Sequence, residues 1–114
     1  MAVLERDVLK LNEAKEITIT AKSAAFAADA EGGDYKVLFL FANASDASAN
    51  VTIAVGDGAL AAGDDLTFAV GAGKTKGIVV DSAYFKQFKL ADYEDAYKIT
   101  PSASLNVSII ELPQ

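Results

Sequence analysis

The chain predicts an all-β fold: a single-domain antiparallel β-sandwich of about 7–8 strands. The first observation is a repeated phrase. Ile17-Thr-Ile-Thr20, Val51-Thr-Ile-Ala-Val55, Leu66-Thr-Phe-Ala-Val70 and Leu105-Asn-Val-Ser-Ile109 each alternate a large apolar residue with a small or polar one. Period-two alternation marks a strand with one buried face. The second is that turn-forming connections separate these segments, and the third is that none of the 114 residues builds a long amphipathic helix.

The elements follow in order. Residues 1–14 form an N-terminal arm or first strand, and 15–114 the sandwich. Within the arm, Leu4, Val8 and Leu11 fit a helical stripe, whereas Val3 followed by Glu5 and Asp7 fits an extended segment, which is the preferred reading. Residues 16–22 alternate as a strand. Residues 24–33 read as an alanine-rich loop closed by Gly32-Gly33-Asp34. Residues 35–42 (YKVLFLFA) break the alternation, because Val37, Phe39 and Phe41 point one way while Leu38 and Leu40 point the other. A strand apolar on both faces must be covered on both. The second cover is expected to be either the arm or another copy of the chain in a homo-oligomer.

A polar turn over 43–50 leads to a strand at 51–55. Gly56-Asp-Gly58 and Gly63-Asp-Asp65 bracket a short loop before the strand at 66–70, and Gly71-Ala-Gly73 turns into another at 75–81. One short helical turn is expected near 83–88, where Phe85 and Phe88 are spaced to plug the end of a sandwich. Strands at about 96–100 and 104–112 are split by Pro101, which has no N–H for a ladder. The inward set is expected to be Ile17, Ile19, Val37, Phe39, Phe41, Val51, Ile53, Val55, Leu66, Phe68, Val70, Ile78, Val80, Leu105, Val107 and Ile109. The architecture is of the immunoglobulin-like or jelly-roll-like kind.

Composition narrows function by exclusion. Cysteine and histidine are absent, which removes disulfides, thiolate nucleophiles, imidazole bases and almost every transition-metal site. No catalytic, metal or cofactor-binding residue is expected, and the chain reads as not an enzyme. A net charge of -6 with Arg6 as the only arginine argues against a nucleic-acid partner, since phosphate binding draws on clustered Lys and Arg. The apolar fraction of 52% is inflated by 22 alanines, and no apolar run approaches the roughly 20 residues of a membrane helix. Glu5, Arg6 and Asp7 fall where a signal peptide needs apolar residues, so synthesis in a cytoplasm is expected.

Apparent motifs resolve into turn and surface chemistry. Gly73-Lys74-Thr75 ends like a phosphate-binding loop, but Phe68 stands where that pattern needs its first glycine, and the segment joins two strands. Asp64-Asp65 and Glu94-Asp95 are adjacent pairs whose carboxylates diverge on extended backbone; calcium at Asp57 or Asp64-Asp65 would need those turns to fold together. Asn43-Ala-Ser45, Asn50-Val-Thr52 and Asn106-Val-Ser108 match the glycosylation sequon and read as turn and strand residues. Tyr84, Phe85, Phe88, Tyr93 and Tyr97 cluster in sequence, as core packing, a partner contact or a sugar-stacking platform.

The order Asp34-Tyr-Lys-Val-Leu-Phe-Leu-Phe-Ala-Asn43, Val51-Thr-Ile-Ala-Val-Gly-Asp-Gly58, Asp65-Leu-Thr-Phe-Ala-Val70, Lys76-Gly-Ile-Val-Val-Asp-Ser-Ala-Tyr-Phe85 and a last strand ending Glu111-Leu-Pro113 resembles small virion structural proteins of tailed bacteriophages, of the head-decoration or minor structural type. Leu9-Lys-Leu-Asn12 before Ile17-Thr-Ile-Thr20 belongs to the same resemblance. It implies a noncatalytic β-sandwich, made in the bacterial host cytoplasm and located in the virion. Its partners would be capsid or other virion proteins and further copies of itself. The acidic, tyrosine-bearing stretch Asp92 to Tyr97 departs from the pattern. Candidate partner-contact residues are Val3, Leu4, Val8, Leu38, Leu40, Tyr84, Tyr93 and Tyr97. A carbohydrate-binding or adhesin-type module is the alternative.

Overall fold

A computed structural model describes residues 3–31, 36–59, 61 and 63–113. In chain order the elements are β1 (Val3–Leu4), β2 (Asp7–Val8), β3 (Thr20–Lys22), β4 (Phe26–Asp29), β5 (Val37–Ala42), β6 (Ala49–Ile53), β7 (Leu66–Val70), β8 (Thr75–Ile78), α1 (Ser82–Phe85), β9 (Ala96–Pro101) and β10 (Leu105–Glu111). The Gly32-Gly33-Asp34 turn and the Tyr35 start of the expected strand lie outside the described residues. The fold is all-β and sandwich-like, in two mixed sheets. Sheet A has the order β1-β4-β9-β6-β7, and sheet B the order β2-β10-β5-β8 with β3 also on β10.

The core forms where the alternating rows of the two sheets meet. Phe39 and Phe41 from β5, Val51 and Ile53 from β6, Val70 from β7, Ile99 from β9 and Leu105, Val107 and Ile109 from β10 are all buried in one cluster. Phe39 meets Tyr97 edge to face at a 5.6 Å ring separation, and Phe41 meets Phe68 at 5.7 Å. Pro101 closes β9 opposite Val51. Val51 turns its backbone groups toward β7, since its neighbours Asn50 and Ala54 bond toward β9 and the segment after it. The missing proline N–H therefore leaves no gap in the ladder.

Six elements differ from the sequence reading. The stretch at 24–33 is not only loop: β4 lies inside sheet A between β1 and β9. Ala28 faces the main core and Ala27 packs with Tyr93 and Ala96 on the other side. Both alanines are fully buried, so no polar residue alternates with them to signal a strand. The strand expected at 16–22 shrinks to Thr20–Lys22, and Ile19, expected inward, is 67% exposed. The Asp7 carboxylate accepts from both the N–H and the hydroxyl of Thr18, which holds this stretch beside β2 rather than in the ladder.

The strands at 51–55 and 75–81 are shifted or shortened, to Ala49–Ile53 and Thr75–Ile78. Val55 is only half-buried, because there the chain has left the sheet to bond Asp65 and Gln87. The helical turn ends at Phe85. Phe85 packs on the core as expected, but Phe88 is 48% exposed.

The arm accounts for the last difference. Sheets expected to be wholly antiparallel each gain a parallel pair, β1 with β4 and β2 with β10. The arm thus crosses from one sheet to the other, and Arg6 lies at the crossing. Its guanidinium donates to Asp29 of β4 and, at 2.7 Å, to Glu111 of β10. Burial disfavours the charged guanidinium, but the bond to Glu111 and the charge of Asp29 outweigh it and hold the pKa above its ordinary value. At the opposite end of β5, buried Asn43 donates to the carbonyls of Ala47 and Val70 and accepts from Ser45. Two polar ties thus join the sheets at the two ends of one strand.

Two outcomes test this packing. Arg6→Ala should cost about 2–4 kcal/mol in denaturant unfolding, since it strands two mostly buried carboxylates. Ala28→Leu should cost about 1–3 kcal/mol by overpacking a fully occupied site.

Candidate functional site

With one row of β5 in the core, the other becomes a surface. Leu38 pairs with Ile110, Leu40 with Ser108 and Gly77, and Ala42 with Asn106 and Thr75, so these residues share the outer face of sheet B. Gly77 shapes that face. A Cβ there would lie 3.1 Å from Leu40 Cδ2 and 3.2 Å from Leu38 Cδ1, so the leucines lean over the bare glycine backbone. Both, with Ile110, are half-buried, and Val79 beside them is 46% exposed. The arm does not cover this face as one reading expected; it lies in the plane of the sheets, at their edges.

The other candidate contacts divide. Val3 and Val8 are exposed on the arm, while Leu4 is partly buried against the core. Tyr84 is 45% exposed. Tyr93 and Tyr97, carried as contact candidates, are buried within the chain and leave the surface set. Tyr93 covers the outer side of β4, and Tyr97 packs on Phe39. The alternation of 96–100 around Ile99 held the signal for Tyr97; nothing local marked Tyr93.

A second surface surrounds α1. Asp81 caps its first turn by accepting from the Ala83 N–H. Gly56 donates to the Tyr84 carbonyl at 2.7 Å, an approach so close that a Cβ would sit 2.5 Å from the Lys86 carbonyl oxygen. Asp57 then accepts from three successive amides, Phe88, Lys89 and Leu90, at 2.5, 3.0 and 3.1 Å. The Phe88 bond above all, with those from Lys89 and Leu90, holds the Asp57 carboxyl below its ordinary pKa. These bonds fix Tyr84, Phe88 and Leu90 as exposed apolar side chains on a tied loop. Phe88 is about half open, and two neighbours account for the covered part of its ring. Its ring lies against Gly58 and under the Lys86 ammonium, which is 5.4 Å from the centroid.

The Asp57 and Asp64-Asp65 turns do not fold together into a cation cage. Asp57 is occupied by amides and Asp65 accepts from Val55; among the described residues no group of three or more acidic side chains could hold a metal ion. No described helix is long and apolar enough to cross a membrane. A scan against protein-family models and searches of curated proteins and of solved structures find no match.

The Asp57 cluster predicts a pH response. A carboxyl with a folded-state pKa below its ordinary value stabilises the fold above about pH 4, and that contribution is lost as pH falls through the depressed value. Asp57→Asn should flatten this acid limb of the melting curve. It should also speed hydrogen exchange at the Phe88, Lys89 and Leu90 amides at neutral pH, while β10 amides stay protected.

Proposed function

We propose that this chain is a noncatalytic structural protein of a tailed-bacteriophage virion, a capsid decoration protein that binds and stabilises the assembled head. One observation carries the reading beyond the resemblance in sequence: the apolar outer face of sheet B, built on Leu38, Leu40 and Ile110 over Gly77. Apolar surface contiguous over several strands is costly in an isolated domain and usually marks an interface. The sandwich beneath is tied at both ends of β5 by Arg6 and Asn43, so docking on it would order little.

The mechanism is linkage. A protein that binds only the assembled lattice lowers its free energy relative to free subunits and shifts the equilibrium toward assembly. Each copy can bind weakly, because the lattice repeats the contact many times. The alternative, a carbohydrate-binding or adhesin-type module, would use Tyr84 and Phe88 as stacking rings. It has less support here, since Gly58 and Lys86 already flank the Phe88 ring.

Two observations test the reading. Coding sequences for a portal, a protease and a major capsid protein beside this one would support it, whereas a parent chain with catalytic or repeat domains would favour the adhesin. With shells assembled from the neighbouring capsid gene, the chain should co-sediment with shells and not with free capsid subunits. Leu38→Lys with Leu40→Lys should weaken that binding by at least about tenfold, or 1.4 kcal/mol. Equal binding to free subunits, or unchanged binding by the folded double variant, contradicts the proposal.

A further inference from the structure

The sandwich has four sheet edges, and three are protected. β1 and β2 are two residues long, β3, which shares the β2 edge of β10, is three and ends in Lys22, and β8 carries Lys76 and Gly77 with Lys74 just before it. The fourth edge, β7, is Leu66-Thr67-Phe68-Ala69-Val70. It has no charge, proline or glycine, and it ends sheet A. Natural edge strands are usually shortened, charged or bulged, because a bare one is a template for another strand.

The ladder shows which backbone groups are free. Asn50 exchanges bonds with Ser102, and Ala54 donates to Lys98. The even positions of β6 therefore face β9, and Val51 and Ile53 face β7. Opposite them Leu66, Phe68 and Val70 bond inward, which turns the N–H and C=O groups of Thr67 and Ala69 to the outside. No hydrogen bond among the described residues engages those four groups. The Thr67 and Ala69 side chains are exposed.

We infer that β7 is a dimer interface, pairing antiparallel with β7 of a second copy about a two-fold axis at Phe68. Only registers that oppose the outward residues can form bonds. The register placing Thr67 opposite Ala69 of the partner copy uses all four free groups on each side, giving four hydrogen bonds. It also brings Leu66 of one copy opposite Val70 of the other, so the inner apolar row of sheet A continues across the axis. Charge complementarity selects a second copy as the occupant. The strand is preceded by Asp64-Asp65 and followed, after the glycine turn, by Lys74; antiparallel pairing lays the acidic end of each copy beside the basic end of the other. An isologous contact of this kind closes on itself and leaves sheet B free on both copies. The inference does not depend on the proposed role at a capsid.

Sedimentation equilibrium of the full chain tests it, and should give twice the monomer mass. Thr67→Pro deletes an outward N–H and keeps the backbone ladder to β6, losing on that side only the hydroxyl contact with Thr52, and Ala69→Lys places a charge on the edge. Because the symmetry doubles each loss, either should raise the dimer Kd by about a hundredfold with unchanged circular dichroism. The chain has no cysteine, so Thr67→Cys combined with Ala69→Cys should oxidise to a covalent dimer in the stated register, even if the proline variant fails to fold. A full chain that stays monomeric at about 100 µM, which means association weaker than roughly 5.5 kcal/mol, would overturn the inference. So would a dimer that persists in folded Ala69→Lys, or one lost instead in Leu38→Lys with Leu40→Lys.

Discussion

The structure depends on β5 being apolar on both faces. Its inner row, Phe39 and Phe41, is almost fully buried and meets residues from both sheets. Its backbone is paired along its length to β10 on one side, and from Phe39 to Ala42 with β8 on the other. Its two ends carry the polar ties through Glu111 and Asn43. A strand held this tightly cannot turn its second row away from solvent. Leu38 and Leu40 remain at the surface because Phe39 and Phe41 must be inside.

The polar ties explain how a sandwich without cysteine keeps its sheets in register. The arm contributes only two short parallel pairs, too short to hold alone. Arg6 makes it a clasp by joining carboxylates from both sheets at once. Five N–H donors in one planar fork, two of its nitrogens engaged here, suit this better than a lysine point charge would. Asn43 does the same at the far end with donors and acceptors of a neutral amide, and its burial is tolerated because both ends of that amide are bonded.

Much of the fold was legible because one-sided strands announce themselves. β6, β7 and β10 follow directly from alternation, and the double-faced β5 from its failure to alternate. What escaped had no polar face to reveal it. β4 is covered on one side by the main core and on the other by Tyr93 and Ala96, and its alanine-rich composition reads as loop. Ile17-Thr-Ile-Thr20 alternates as well as any strand, yet a single carboxylate, Asp7, captures Thr18 and keeps Ile19 in solvent. Of the surface residues, Leu38 and Leu40 followed from the pattern, whereas the burial of Tyr93 needed the position of β4. The amides gathered on Asp57 come from 31 to 33 residues away, beyond any local signal.

The two rows of β5 do different work, and urea unfolding compares them directly. Phe39→Ala should cost about 3–5 kcal/mol, as for a fully buried aromatic. Leu38→Ser with Leu40→Ser should cost less than about 2 kcal/mol together and leave the slope of the transition unchanged. If the leucine pair costs as much as Phe39→Ala, the outer face belongs to the core and is not a docking surface.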